Sequence, residues 1–320
     1  MKAKSFKNLL SQLSLLTPRQ RHQLLDSAAQ TPSLASLDII ESHEKSTRED
    51  CPFCQSTAII RWGKSHELQR YRCKTCRKTF TALTGSPLSK LHYKCQWLRF
   101  SQCLLDSQSV RKTATLCGID PSTSFRWRHR FLSAFSQDKT QKMVGIVEAD
   151  ETFFTESCKG SRDLTRPARK RGKSMKNRIG KRVPVLIVRD RTGTEADFIF
   201  DRVEKTVVHD CLAPLMGDEV VLCSDGSSLY TTFAKAVHIP HKRVIRSAGI
   251  FVVEDIFHIQ NLNAYVSRLK QWLRCFHGIA TKYLEHYLGW RRMLEKGETL
   301  SEKVILNLAL GGNYQHVMPT

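Results

Sequence analysis

The residues best suited to chemistry are four cysteines and a handful of carboxylates. Cys51-Pro-Phe-Cys54 and Cys73-Lys-Thr-Cys76 are separated by 18 residues. Two such pairs can set four thiolates tetrahedrally on one Zn²⁺, and four thiolates close the coordination sphere, so the expected ion is structural. The second group lies in Val144–Phe154, Val-Gly-Ile-Val-Glu-Ala-Asp-Glu-Thr-Phe-Phe. Val144, Ile146 and Val147 read as a short, mostly buried strand with Glu148, Asp150 and Glu151 near its end. Strand alternation puts Glu148 and Asp150 on one face and Glu151 on the other. A carboxylate near the end of a core strand is costly unless it meets a cation or a hydrogen-bond donor. Asp150 is therefore a candidate ligand for a divalent metal. Glu219–Asp225 followed by Gly226 repeats the pattern, a buried strand ending in a carboxylate. Asn263 and Lys270 lie seven apart on a predicted helix, on nearly one face. A metal-facing amide and a phosphate-facing ammonium at that spacing fit one active site, although ordinary helix surface accounts for the stretch as well.

Elements must carry these groups. Residues 5–30 have helical apolar spacing broken at Thr17-Pro18, a good N-cap and first-turn pair. Residues 31–48, with Pro32 and the polar run 41–49, read as a linker. Between the cysteine pairs Ile59, Ile60, Trp62, Leu68 and Tyr71 suit a short hairpin, whose second half is basic through Arg70, Arg72, Lys74, Arg77 and Lys78. Residues 91–134 read as three helices. Ala114, Gly118 and Asp120-Pro121 form a helix-turn-helix pattern whose second helix would present Ser122, Thr123, Arg126 and Arg130 to a DNA groove, with Phe125 and Trp127 partly buried. From Arg162 to Arg182 there are ten basic residues and one acidic, Asp163. That glycine-containing loop, including Arg169, Lys170, Arg171 and Lys173, suits a clamp on a phosphate backbone. A strand over 181–190, a turn at Arg191-Thr-Gly193 and a returning strand over 194–200 make a hairpin, and 203–216 a helix ended by Pro214. His238, His241 and His258 lack tight ligand spacing and read as surface or DNA contacts. A long helix begins near Asn261, and 279–294 continue as amphipathic helix.

The chain of 320 residues carries 51 Lys plus Arg against 30 Asp plus Glu, a formal charge of +21. Such an excess calls for a polyanionic partner, nucleic acid first. The start Met1-Lys-Ala-Lys4 lacks the apolar core of a signal peptide, and no apolar run reaches membrane-span length. With 11 cysteines, an odd number, metal-bound and free thiols in a reducing cytoplasm fit better than a disulfide framework.

In combination, the Cys51/Cys54/Cys73/Cys76 ribbon, Val147-Glu-Ala-Asp150-Glu-Thr, Ser224-Asp225-Gly226, and Asn263-Ala-Tyr-Val-Ser-Arg-Leu-Lys270 running into Gly278-Ile-Ala-Thr-Lys-Tyr-Leu resemble bacterial insertion-sequence transposases of the IS1595 family, the ISXO2-like group. The similarity covers roughly residues 50 to 295. It implies a multidomain α+β protein: N-terminal helices and linker (1–48), a zinc ribbon (49–82), a helix-turn-helix domain (90–136), a ribonuclease-H-like α/β catalytic core with a mixed sheet (143–296), and a C-terminal helix and tail (297–320). It implies Asp150 and Asp225 as first and second acidic residues, Asn263 in the third position, where many relatives of the wider superfamily carry Glu, and Lys270 seven residues on. Two Mg²⁺ (or Mn²⁺) ions would serve phosphoryl transfer beside the one structural Zn²⁺. The Asn removes a charge from the metal site, and Glu148, Glu254 and Asp255 are candidates to replace it. The implied function is cleavage and strand transfer at the ends of the element. The partners would be double-stranded DNA (element ends and target), itself as a dimer or higher on DNA, and no membrane. The implied location is the cytoplasm, with the nucleoid. The competing readings are a non-enzymatic zinc-ribbon/helix-turn-helix regulator and a nuclease without strand transfer.

Overall fold

A computed structural model describes residues 11–12, 15–21, 35–47, 49–137, 142–164, 181–297 and 300–311. The fold is mixed α+β. Near the N-terminus Thr17 caps the next turn as expected: its Oγ1 accepts from the Gln20 N–H at 3.3 Å while Gln20 Oε1 accepts from the Thr17 N–H at 2.9 Å. The expected linker is instead a helix, α1 (Ala35–Thr47). Leu37, Ile40 and Glu44 form a narrow buried stripe, and Ser36 Oγ accepts from the N–H of Leu98 at 3.1 Å. Two apolar residues among many polar ones gave too thin a pattern to read as helix.

The ribbon is a three-stranded antiparallel sheet of β1 (Ile59–Ser65), β2 (Leu68–Cys73) and β3 (Thr79–Thr81). Three helices follow as predicted, α2 (Trp97–Leu105), α3 (Val110–Cys117) and α4 (Pro121–Gln137). Ser109 caps α3. Gly118 ends it at φ 62°, a left-handed turn that glycine adopts without strain. Asp120 Oδ1 accepts from the N–H of Ser122 at 2.8 Å and starts α4. Trp127 is fully buried and Phe125 is 43% exposed, so the two part company where partial burial of both was expected.

A five-stranded sheet forms the second half: β4 (Met143–Thr155), β5 (Arg182–Asp190), β6 (Glu195–Ile199), β7 (Met216–Asp225) and β8 (His241–Val244). Its order is β6-β5-β4-β7-β8; β4, β5 and β6 are antiparallel neighbours, while β4–β7 and β7–β8 are parallel. β4 is longer than predicted, and Val144 is exposed. Glu148, Asp150 and Glu151 therefore sit in mid-strand: β5 pairs alongside through Thr155, whereas β7 stops at Asp225. Two helices, α5 (Lys205–Leu212) and α6 (Ser228–Ala236), cover one face, where Val147, Ala149, Leu186, Val188 and Leu222 pack with Leu212 and Phe233. The opposite face of β5, Val183, Val185 and Ile187, meets Leu262, Tyr265 and Leu269 of α7 (Gln260–Arg274). Those four turns bury Leu262, Tyr265, Leu269 and Leu273 at helical spacing.

Helix α8 (Leu284–Glu295) packs on α4, and α9 (Glu302–Ala309) packs on α1, α2 and α4. One continuous core thus runs from α1 through α2 and α4 to α7, α8, α9 and β5. Among the described residues no helix is long and apolar enough to cross a membrane.

Candidate metal centre and carboxylate site

The ribbon brings its four cysteines together. Cys51 Sγ lies 3.7 Å from Cys76 Sγ, and Cys54 Sγ 3.6 Å from Cys73 Sγ. Among the described residues this is the one group of three or more His, Cys, Asp or Glu whose ligand atoms all gather within 4.8 Å. Both turns close alike, with the residue after each pair, Gln55 and Arg77, in the left-handed region at φ 57° and 61°. Ser56 Oγ and Thr75 Oγ1 join the turns at 2.8 Å. The N–H of Cys76 donates to Cys73 Sγ at 3.5 Å and pulls that thiol down to about 6, favouring the thiolate a metal needs. Four converging soft sulfurs fit Zn²⁺ and leave no open position.

The carboxylates are organised by register. Ala149 on β4 pairs with Ser224 on β7. Asp150 and Asp225 are therefore the next positions on neighbouring parallel strands, about 4.8 Å apart across the sheet. Each uses Oδ1 on a backbone N–H: Asp150 accepts from Glu151 at 2.9 Å and Asp225 from Ser227 at 3.0 Å. Glu151 points to the other face, as alternation requires, beside fully buried Tyr230 of α6. Burial first, and then the Asp225 charge, raise the Glu151 carboxyl. The Tyr230 hydroxyl lies against the Glu151 carboxylate and offsets part of that rise. It is pushed well up by burial, and further by the charges of Glu151, Asp150 and Asp225. Asp150 and Asp225 thus share one face of the sheet with Glu151 behind them, and two neighbouring carboxylates raise the cost of their charge unless a cation shares it.

Glu148 is 1% exposed and faces α7. Oε2 accepts from the N–H of Leu262 at 2.8 Å, and Oε1 accepts from Asn261 Nδ2 at 3.2 Å. Arg191 Nε lies 3.1 Å and His258 Nδ1 3.7 Å from Oε1. Arg191 also donates to the Ile256 carbonyl at 3.0 Å. His258 thus belongs to this half-buried network rather than to a bare surface. His241, likewise half-buried, meets Ser224 Oγ at 2.8 Å.

Asn263 and Lys270 both lie on α7, partly exposed. Asn263 follows directly on the residue that Glu148 holds, at the carboxylate end of the helix. Lys270 is farther off. Its Nζ is 5.9 Å from the centre of the Phe154 ring, and Phe154 lies four residues beyond Asp150, about 13 Å along β4. Beside it opens a cleft of about 350 Å³ lined by Phe153, Phe154, Lys270, Arg274, Ile279 and Leu284 among others. Glu254 is drawn off to Lys242.

Of the candidate groove residues, Ser122 and Arg126 are exposed and Thr123 partly so. Arg130 departs from expectation. Its guanidinium donates to the carbonyls of Pro87 and, at 2.9 Å, Ser89, so it braces the segment before α2. Arg169, Lys170, Arg171 and Lys173 lie outside the described residues.

Residues 142–291 match the ISXO2-like transposase domain. Over that stretch, a little under half of its length, the chain carries an IS1595-type transposase domain. All four of Asp150, Asp225, Asn263 and Lys270 fall inside the matched transposase domain, and the ribbon and α1–α4 precede it. A protein of the transposable element ISH50 from Halobacterium salinarum, itself uncharacterised, is 26% identical over 270 residues, which cover 81% of this chain and 91% of that protein. The Mos1 strand transfer complex overlaps 63% of this chain and 76% of its own at 16% identity and a TM-score of 0.26. The Mos1 mariner paired end complex with Mn overlaps 93% and 96% at 15% identity and 0.25, too loose a superposition to bear on mechanism.

Proposed function

We propose that this protein binds the ends of its own element and catalyses metal-dependent DNA strand cleavage and transfer on a ribonuclease-H-like core. The observation that carries the reading is the placement of Asp150 and Asp225 side by side at the open end of two parallel strands, with the start of α7 held against the same face. The strand order, a three-stranded antiparallel meander continued by two parallel strands, supports that core. Two carboxylates and an amide oxygen are hard donors suited to Mg²⁺ or Mn²⁺. Asp150, Asp225 and Asn263 would hold the ions. Bound there, divalent ions would activate water or a DNA 3′-hydroxyl and stabilise the leaving 3′-oxygen.

The side chains have distinct duties in this scheme. Asp150, central in β4, would be the innermost holder of the ions. Asp225, fixed by its turn to Ser227, keeps its carboxylate aimed off the strand end. Lys270, displaced along the groove, holds a backbone phosphate away from the cut and orients the strand. Ser122, Thr123 and Arg126 at the start of α4 present donors to the major groove. The ribbon's basic strands and the net charge of +21 supply phosphate contacts.

The test uses duplexes carrying both ends of the encoding element, with Mg²⁺ or with chelator. Wild type should nick the ends and join the 3′ end to target DNA only with the metal. Asp150→Asn and Asp225→Asn should each lose at least about a thousandfold in cleavage, the scale of essential charge stabilisation, while end binding stays within a few-fold. Binding lost in step with cleavage would sink these assignments. Cleavage without joining would leave a nuclease.

A further inference from the structure

Helix α7 has no capping side chain at its N-cap position; locally, only its first N–H, that of Gln260, finds a side-chain acceptor, His258 Nδ1 at 3.2 Å. Ile259 occupies the N-cap position, has no polar side chain, and makes no capping bond. Ordinarily a Ser, Thr, Asp or Asn there would accept from the N–H two or three residues on. In this fold the third residue of the helix, Leu262, donates instead to Glu148, from a strand far away in sequence. The neighbouring Asn261 side chain donates to the same carboxylate. A carboxylate at a helix N-terminus also meets the positive end of the helix dipole. Arg191 balances its charge at 3.1 Å from the solvent side, while the Glu148 carboxylate itself is 1% exposed.

We propose that Glu148 is a positioning residue: a cap supplied across the fold that fixes where α7 starts, and so where Asn263 stands relative to Asp150. Glu148 and Asp150 share one face of β4, two residues apart, and Leu262 and Asn263 are consecutive. A single carboxylate therefore ties both ligand-bearing elements at their point of closest approach. This answers where the charge absent from the Asn position is not: Glu148 cannot leave α7 for a metal without orphaning the Leu262 N–H and giving up its ion pair with Arg191. The inference rests on the reading of Asn263 as a ligand, but its structural half can be measured without DNA.

Two conservative variants of the full chain separate reach from charge. Glu148→Gln keeps the length and one acceptor oxygen. Glu148→Asp keeps the charge but is one methylene short. Hydrogen–deuterium exchange over residues 260–266 is read against 144–149 and 220–225. Glu148→Asp should speed exchange at 260–266 by about fivefold to thirtyfold, the size of one lost helix cap, leaving the sheet segments unchanged. Glu148→Gln should stay within about threefold of wild type, far short of the loss of a whole cap. In cleavage of element-end DNA, Glu148→Asp should raise the Mg²⁺ concentration for half-maximal rate about tenfold, as loss of a residue that orients a ligand does, and approach the wild-type rate at saturation. The opposite order, Glu148→Gln inactive at every Mg²⁺ concentration and Glu148→Asp active, would make Glu148 a metal ligand and overturn the proposal. Unchanged exchange at 260–266 in Glu148→Asp, or a uniform rise through the sheet, would overturn it too. Should wild type cleave nothing, the transposase reading fails while the exchange comparison still decides the cap.

Discussion

In the ribbon, all four gathered sulfurs come from residues 51–76 and two matching turns aim them. At the sheet, Asp150, Asp225 and Asn263 come from two strands and a helix, and their placement depends on register across β4–β7 and on a cap from Glu148. The ribbon keeps a small cluster of its own, Cys51, Cys73 and Phe80, and reaches the main core through Leu68. The carboxylate site has no such independence. Its supporting core is shared with α1, α2, α4, α8 and α9. A site built from turns can be held by its metal, whereas one built across a fold is only as firm as the whole fold.

The sharpest way to test that contrast is to remove zinc. A structural zinc site contributes on the order of 10 kcal/mol to the unit it folds. Elemental analysis should find one zinc per chain, and Cys54→Ser or a strong chelator should abolish it. Amides of residues 59–73 should then exchange as an unfolded segment, while residues 183–188 keep wild-type protection. Loss of protection in both regions would dissolve the distinction. Next in size is the buried ion pair between Asp197 of β6 and Arg292 of α8, whose side chains are 6% and 4% exposed. Arg292 also donates to the Phe135 carbonyl of α4 at 3.1 Å, so it locks the helical half to the sheet. Asp197→Asn strands a buried guanidinium and should cost roughly 3 kcal/mol. Urea unfolding followed in α4 and in β5 should shift together, to one lower midpoint. Separate midpoints would mean that the halves are independent units.

The same contrast governs what could be read from the residues alone. The cysteine spacing was enough to predict that four sulfurs gather, because both turns are local. Alternation placed Glu148 and Asp150 on one face and Glu151 on the other, since the pleat has a fixed period. Strand, hairpin and helix positions over 181–225 followed from apolar runs broken by Thr192-Gly193 and Pro214. What failed depended on partners elsewhere in the chain. Seven residues along α7 put Asn263 and Lys270 on one helix face, but the helix runs on along β4, and Lys270 ends beside Phe154 rather than beside the carboxylates. Arg130 looked free for a groove until the 87–89 segment folded onto it. The role of Glu148 had one clue in the sequence, a helix start with Ile259 where a capping residue belongs. Only tertiary docking could say which distant oxygen fills the gap.

A smaller effect probes how tightly the helical half grips the sheet half. Gly289 of α8 faces the backbone of α4, and a Cβ there would stand 2.6 Å from the Phe135 carbonyl oxygen. Alanine is the better helix former by roughly 1 kcal/mol, so a loose interface would be stabilised by Gly289→Ala. Backbone cannot step aside as a side chain can, and overpacking typically costs about 1–3 kcal/mol. The expected result is a lower Tm by calorimetry. A raised Tm would show that α8 and α4 merely touch.

The smallest expected effect is a pH slope from the same interface. His129 of α4 stacks on Tyr283 with ring centres 3.6 Å apart, and its Nδ1 lies 3.2 Å from Nδ1 of His286 on α8. One imidazole must donate and the other accept, so the contact cannot hold two protonated rings. Burial, followed by the charges of His286, Arg128 and Lys282, lowers His129 from 6.5 to about 3; burial lowers His286 as well. The unfolded chain therefore takes up a proton below 6.5 that the folded one refuses. This stability is complete above pH 6.5 and drains as the pH falls towards 3. With the ring partly open to solvent, the loss by pH 5 is on the order of 1 kcal/mol. His129→Phe keeps the aromatic stack and removes the proton site, so its Tm should fall less steeply than wild type between pH 7 and 5. Equal slopes would mean that the ring stays wet, and that the grip between the two halves rests on Arg292 and the helix packing alone.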